Sequence, residues 1–204
     1  MLNIVLITHK NFLFFHNPCY NQNMTPQESI LCFFETEYSA EPKHFAKLDF
    51  LCADEWLSEN AKKVGLDITN MYHQITTDFI THTLKSHGEH GSEKRRGNIA
   101  ITREDFSYIA DIVSEPTFVL FGVKRDGQDR IIYVKDLDDG SALYFEEILS
   151  GAKNKCLRGK SFSRQKNRIT VERIKTILEA NRRNDISKMI IAFGVAANST
   201  FDHS

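Results

Sequence analysis

Between residues 117 and 163, four short runs of β-branched and aromatic residues follow one another: Thr117–Lys124, Arg130–Lys135, Ser141–Leu149 and Cys156–Ser163. Asp126-Gly127 separates the first two runs, and Asp139-Gly140 precedes the third. Asp-Gly between such runs is a hairpin signal, because the tight turns that match strand twist need residues at positive φ. Connections this short cannot carry a parallel crossover. A doubly wound parallel fold is therefore disfavoured, and a four-stranded antiparallel meander is expected.

Helical signals flank this block. Thr25-Pro26-Gln27-Glu28 is a capping-box pattern with Pro at the first helical position, predicting a helix to about Phe34. Asp54–Val64 reads as a helix stopped by Gly65, with Trp56 as a core anchor. Thr76 or Thr77 caps a helix that Gly88 ends near His87. Thr102 caps another, to about Ser114, before Pro116. Thr170 opens a last helix to about Ala180, and Ile186–Val195 fits a strand or a helix equally. Asn3–Thr8 and Phe12–Phe15 look like short strands. The expected fold class is thus α+β: N-terminal helices, the four-stranded meander, and a C-terminal helix.

The 204 residues are 41% hydrophobic and 26% charged, enough for one folded domain with its own core. The longest apolar run, Met189–Ala197, is too short to span a membrane. An export signal is not expected, since His9, Lys10 and Asn11 break the apolar start. Cys19, Cys32, Cys52 and Cys156 form no C-x-x-C pair and read as reduced thiols, which places the chain in the cytoplasm.

Charge is unevenly spread. Residues 1–75 hold five Lys or Arg against nine acids, whereas residues 151–175 hold nine against one. The near-neutral whole thus contains one strongly cationic segment, the electrostatic footprint of a polyanion partner. Within it, Lys153, Lys155, Arg164, Lys166 and Arg168 flank the fourth strand as phosphate-positioning charges. On that strand, alternation puts Arg158, Lys160 and Phe162 on one face. A hairpin closed by residues 150–155 would set Leu149 opposite Cys156, Glu147 opposite Arg158 and Phe145 opposite Lys160. Arginine grips phosphate and aromatic rings stack bases. The bland alternative is a surface ion pair of little worth.

His82, His87 and His90 form the second constellation, with Lys85 among them. Imidazole transfers protons both ways near neutral pH. A metal site or purely structural roles are the other readings, although gaps of five and three residues are not usual zinc-ligand spacing. No Walker A loop, dinucleotide fingerprint, H-E-x-x-H or nucleophile elbow occurs, and no cofactor is expected. Glu146 and Glu147 are strand neighbours that point to opposite faces, so they cannot act as a dyad.

Five blocks, in order, carry a resemblance. They are His82-Thr-Leu-Lys-Ser-His-Gly-Glu-His90, Arg96-Gly-Asn-Ile-Ala-Ile-Thr-Arg-Glu-Asp-Phe106, Asp126-Gly-Gln-Asp-Arg-Ile-Ile-Tyr-Val-Lys135, Asp139-Gly-Ser-Ala-Leu-Tyr-Phe-Glu-Glu-Ile148 and Gly151-Ala-Lys-Asn-Lys-Cys-Leu-Arg-Gly-Lys-Ser-Phe162. Together they resemble the phage-associated nuclease domains of the barnase–EndoU–colicin–RelE-like superfold, over about Trp56 to Phe162. Ser161 stands where family members tend to have Thr, and the hydroxyl is kept.

The resemblance implies a metal-independent endoribonuclease, a toxin or phage effector, that cleaves by 2′-hydroxyl attack. It implies catalytic roles for His82, His87, Glu147, Arg158, Lys160 and Ser161. It implies nucleic-acid contacts from Lys85, His90, Lys153, Lys155, Arg164 and Lys166. The partners are then RNA, tRNA among the candidates, and an immunity or antitoxin protein. Residues 51–184 would form the nuclease-like domain, 1–50 an extension of unassigned role, and 185–204 a tail. A non-catalytic nucleic-acid-binding module, or a protein-interaction domain of a phage-derived protein, would explain the cationic strand equally well.

Overall fold

The computed structural model describes residues 24–39, 44–91, 98–150, 156–168, 170 and 190–194. The expected strands in residues 3–15, and all but Thr170 of the expected helix from Thr170 to Ala180, lie outside the described residues. Helix α1 (Pro26–Phe33) carries the full capping box between Thr25 and Glu28, and continues as a π-helical stretch, Phe34–Tyr38. Helix α2 (Glu55–Lys62) is capped by the Asp54 carboxylate, and α3 (Thr77–His87) by the Thr76 hydroxyl. The next helical segment opens as a 3-10 turn, Glu104–Ser107, before α4 (Tyr108–Ser114).

The strands are β1 (Lys47–Cys52), β2 (Tyr72–Thr76), β3 (Phe118–Arg125), β4 (Gln128–Asp136), β5 (Ala142–Leu149), β6 (Cys156–Gln165) and β7 (Ile190–Phe193). The four expected strands are present as β3–β6 and pair consecutively antiparallel. They are only the middle of a seven-stranded sheet, ordered β1-β2-β6-β5-β4-β3-β7. The expectation of helices followed by strands is corrected accordingly: β1 and β2 alternate with the helices, and β2 joins β6 in parallel. The boundary expected at residue 50 falls inside β1, and the expected tail supplies β7.

The two Asp-Gly pairs do different work. Asp126 (φ 52°) and Gly127 (φ 72°) both lie in the left-handed region, the mirror-image turn that suits a two-residue hairpin. Asp139 instead closes a longer loop, its Oδ1 accepting bonds from the Ser141 backbone N–H and hydroxyl.

All described helices pack on one sheet face. Ile30, Phe33, Leu57, Phe79, Ile80, Phe106 and Ile109 meet Val119, Ile131, Tyr133, Phe145, Leu157 and Phe162 there, all buried. Gly159 belongs to this packing: a Cβ at that position would lie 3.2 Å from Phe145 and 3.3 Å from Phe79. The opposite face carries its own buried apolar group over β3, β4 and β5, namely Phe118, Leu120, Val123, Ile132, Val134 and Ala142. Toward the β1–β2 edge that face becomes polar.

Candidate active site

The register of β5 and β6 decides which side chains share this polar face, because directly paired residues point the same way. Leu149 pairs with Leu157, Ile148 with Arg158 and Glu147 with Gly159. A bulge then leaves Lys160 over, so Glu146 pairs with Ser161 and Phe145 with Phe162. The expected pairing is thus one residue out before the bulge and two after it. Glu147 does not oppose Arg158, and Phe145 does not oppose Lys160.

Strand alternation separates the two glutamates. Phe145 and Glu147 face the helices. Glu147 has no exposure, and its Oε2 lies 2.9 Å from His73 Nδ1, itself only 2% exposed. The pair bridges β5 and β2 beneath β6, opposite the side-chain-free Gly159. Tyr133 completes the buried group, with its ring edge-on to His73. Burial and then the nearby Glu147 charge push the Tyr133 phenol well above its ordinary pKa. The expectation that Glu147 meets the substrate is corrected: a carboxylate inside the core is out of a substrate's reach.

Glu146 takes the outer position. Its carboxylate is held by Arg125 Nη1 at 3.3 Å and Arg130 Nη1 at 3.2 Å. Arg130 is buried, and a buried guanidinium needs such a counter-ion. Arg130 and Arg158 both pair with Ile148, one from each side, so both share the face of Glu146. Arg158 donates to Ser150 Oγ at 2.9 Å, while its buried Nε has no partner among the described residues. Beyond Arg158 in the same row stand Gln74 and Asp49.

Helix α3 brings the histidine. It starts directly after β2, the parallel neighbour of β6, and packs along β6. His87 Nε2 consequently lies 3.5 Å from Ser161 Oγ, the outer limit of a hydrogen bond. The His87 carbonyl accepts from the Ile101 N–H at 2.8 Å, which anchors the helix end. Ser161 thus meets His87, which comes from the helix side, and is the strand partner of Glu146, whose carboxylate faces away from the helices with Arg125 and Arg130 on it and Arg158 on the same face.

The other expected site residues are placed differently. His82 lies five residues from His87, roughly 140° around the helix axis, and is exposed together with Lys85. His90 is exposed in the turn after α3, and among the described residues no group of three His, Cys, Asp or Glu is arranged to hold a metal. Lys160 and Lys166 are exposed. Arg164 is instead tied into the fold by Asp105 at 3.0 Å, Asp139 at 2.6 Å and the Ser141 hydroxyl. Lys153 and Lys155 lie outside the described residues.

Sequence reasoning missed Arg125, Arg130, Glu146 and His73. A signal for Glu146 was present. Leu143, Phe145 and Leu149 form the more apolar half of β5, so they go inward and carry Glu147 with them.

A match to the family described as phage-Barnase-EndoU-ColicinE5/D-RelE like nuclease3 spans residues 52–170, more than half of the chain. The chain belongs to this family. Comparison with curated proteins and with solved structures found no match. Within this nuclease family member, the matched segment runs from the end of β1 to just past β6, and so contains His87, Arg125, Arg130, Glu146, Arg158 and Ser161. Membership implies a nucleic-acid substrate. No described helix is long and apolar enough to cross a membrane.

Proposed function

We propose that the protein is a metal-independent endoribonuclease that cleaves RNA by attack of the 2′-hydroxyl on the adjoining phosphorus. Such a reaction needs a group to take the 2′-hydroxyl proton, a group to protonate the departing 5′-oxygen, and cations to stabilise the charged phosphorane. Glu146 takes the first role, since an ionised carboxylate is an acceptor only. His87 takes the second, in its protonated form. Arg158 grips the phosphate, with Lys160 beside it and Arg130 behind Glu146. Ser161 donates to a phosphate oxygen. The exposed His82, Lys85, His90 and Lys166, with Lys153 and Lys155, steer the RNA. The products are a 2′,3′-cyclic phosphate and a 5′-hydroxyl.

The observation that carries this reading is the approach of His87 to Ser161, the strand partner of the arginine-clamped Glu146. The protein would act in the cytoplasm, with tRNA among its substrates and an immunity protein as its restraint. Incubation with total tRNA and with generic RNA in excess EDTA tests it. Cleavage leaving cyclic-phosphate ends is expected, falling at least a hundredfold in His87→Ala and in Glu146→Gln, in line with the usual worth of acid–base groups. Cleavage abolished by EDTA, or retained in both variants, would refute it.

A further inference from the structure

We infer that the β1–β2 end of the same face is a nucleobase subsite: the Tyr72 ring is a stacking platform for an unpaired base, the Gln74 amide meets that base's edge, and Arg158 holds the adjoining phosphate. This rests on the nuclease reading above. Tyr72 is 46% exposed, although β2 is an inner strand of the sheet. Its direct neighbours on either side are Cys52 and Cys156, whose side chains are too small to cover the ring. Four large apolar side chains are exposed among the described residues, Phe45, Tyr72, Tyr108 and Phe193. Only Tyr72 stands two residues from the row that holds Arg158.

The spacing suits a nucleotide. Two residues along a strand and one strand across separate Tyr72 from Arg158 by about 8 Å at the backbone. That is a span a single nucleotide covers between its phosphate and its base. Between the two stands Gln74, on the same face and 4% exposed. Its Nε2 donates to Asp49 Oδ1 at 2.7 Å. A carboxylate accepts and does not donate, so this bond fixes which way the amide lies and leaves Gln74 Oε1 as an oriented acceptor. Stacking on tyrosine tolerates any base, whereas an oriented amide distinguishes base edges. The subsite therefore binds single-stranded RNA, and Gln74 sets the preference.

Fluorescence anisotropy of the full chain tests the subsite with two probes. One is a labelled 2′-O-methyl hexanucleotide, uncleavable for want of a 2′-hydroxyl, and the other is a base-free sugar-phosphate chain of equal length. The wild type is expected to favour the base-bearing probe. Tyr72→Leu should weaken that probe roughly tenfold and leave the base-free one unchanged, and Tyr72→Phe should restore binding. Arg158→Met should weaken both. An unchanged melting temperature for Tyr72→Leu is expected of an exposed ring. Should it fall, Gln74→Leu serves instead, and is expected to even out affinities among A, C and U hexanucleotides. Wild-type affinity in Tyr72→Leu, or equal losses for both probes, overturns the subsite and leaves the nuclease reading intact. A wild type that binds neither probe removes the nuclease reading itself.

Discussion

Removing His73 should expose how much the fold depends on the buried His73–Glu147 pair. In His73→Leu, Glu147 keeps no exposure and loses the bond to Oε2, while its Oε1 already has no partner among the described residues. An unpaired carboxylate in the core costs roughly 3–5 kcal/mol. For a chain of this size that lowers the melting temperature by about 6–20 °C. Glu147→Leu should cost a similar amount, by stranding the imidazole among Phe50 and Tyr133. The double variant leaves neither group unpaired, and apolar replacement of a whole buried pair is often neutral. Its loss should therefore fall well below the sum of the two single losses, with a coupling of about 2 kcal/mol or more. Urea unfolding at pH 7, with midpoints and slopes for all four proteins, measures this. Additive losses within about 0.5 kcal/mol would show that the two side chains do not depend on each other, and would refute a coupled His73–Glu147 pair in the core.

Other outcomes follow from the same geometry. Tyr133 ionises above its ordinary range in the folded protein, so folding retains its proton and stability falls as pH rises above the unfolded phenol's value. Tyr133→Phe should flatten that alkaline loss in pH-dependent melting curves. The Asp139 carboxyl is held below its ordinary value by bonds from Ser141 and then by Arg164, so its contribution is present above the unfolded carboxyl's pKa and disappears as pH falls through the lower folded value. Asp139→Asn should remove that acid-side slope. Gly159→Ala should destabilise by about 1–3 kcal/mol, since its Cβ presses on Phe145 and Phe79, and calorimetry would read the shift. Glu147→Gln should retain far more cleavage per folded molecule than Glu146→Gln, and equal kinetic losses would contradict the assignment of the outer glutamate.

What the sequence disclosed was local. The capping box at Thr25, the caps at Asp54 and Thr76, and the runs forming β3 to β6 each depend on residues within a few positions of one another. What it concealed was set by distant pairing. Strand β2 has five residues, and its partner β6 lies some eighty positions away, so nothing near Tyr72–Thr76 announces a parallel neighbour. Strand β1 does alternate, with Leu48 and Phe50 inward and Lys47 and Asp49 outward, but six residues next to an unassigned segment do not show which strand they pair with.

The site suffered from a finer version of the same difficulty. Side chains alternate with a period of two, so a one-residue error in register exchanges the two faces of a strand. Hairpin counting from residues 150–155 could not foresee the bulge at Lys160. Composition offered the better guide. Strand β5 offers Leu143, Phe145, Glu147 and Leu149 on one side, and Ala142, Tyr144, Glu146 and Ile148 on the other. The first set buries more apolar surface, at about 25 cal/mol per Å², and the single glutamate within it follows the majority inward. Burial then demands a partner, and His73 supplies one. The outer glutamate, freed from the core, is left for Arg125 and Arg130 to hold, with Ser161 as its strand partner and His87 reaching that hydroxyl from the helix side. Core packing on one face thus decides which of two adjacent carboxylates is available for chemistry on the other.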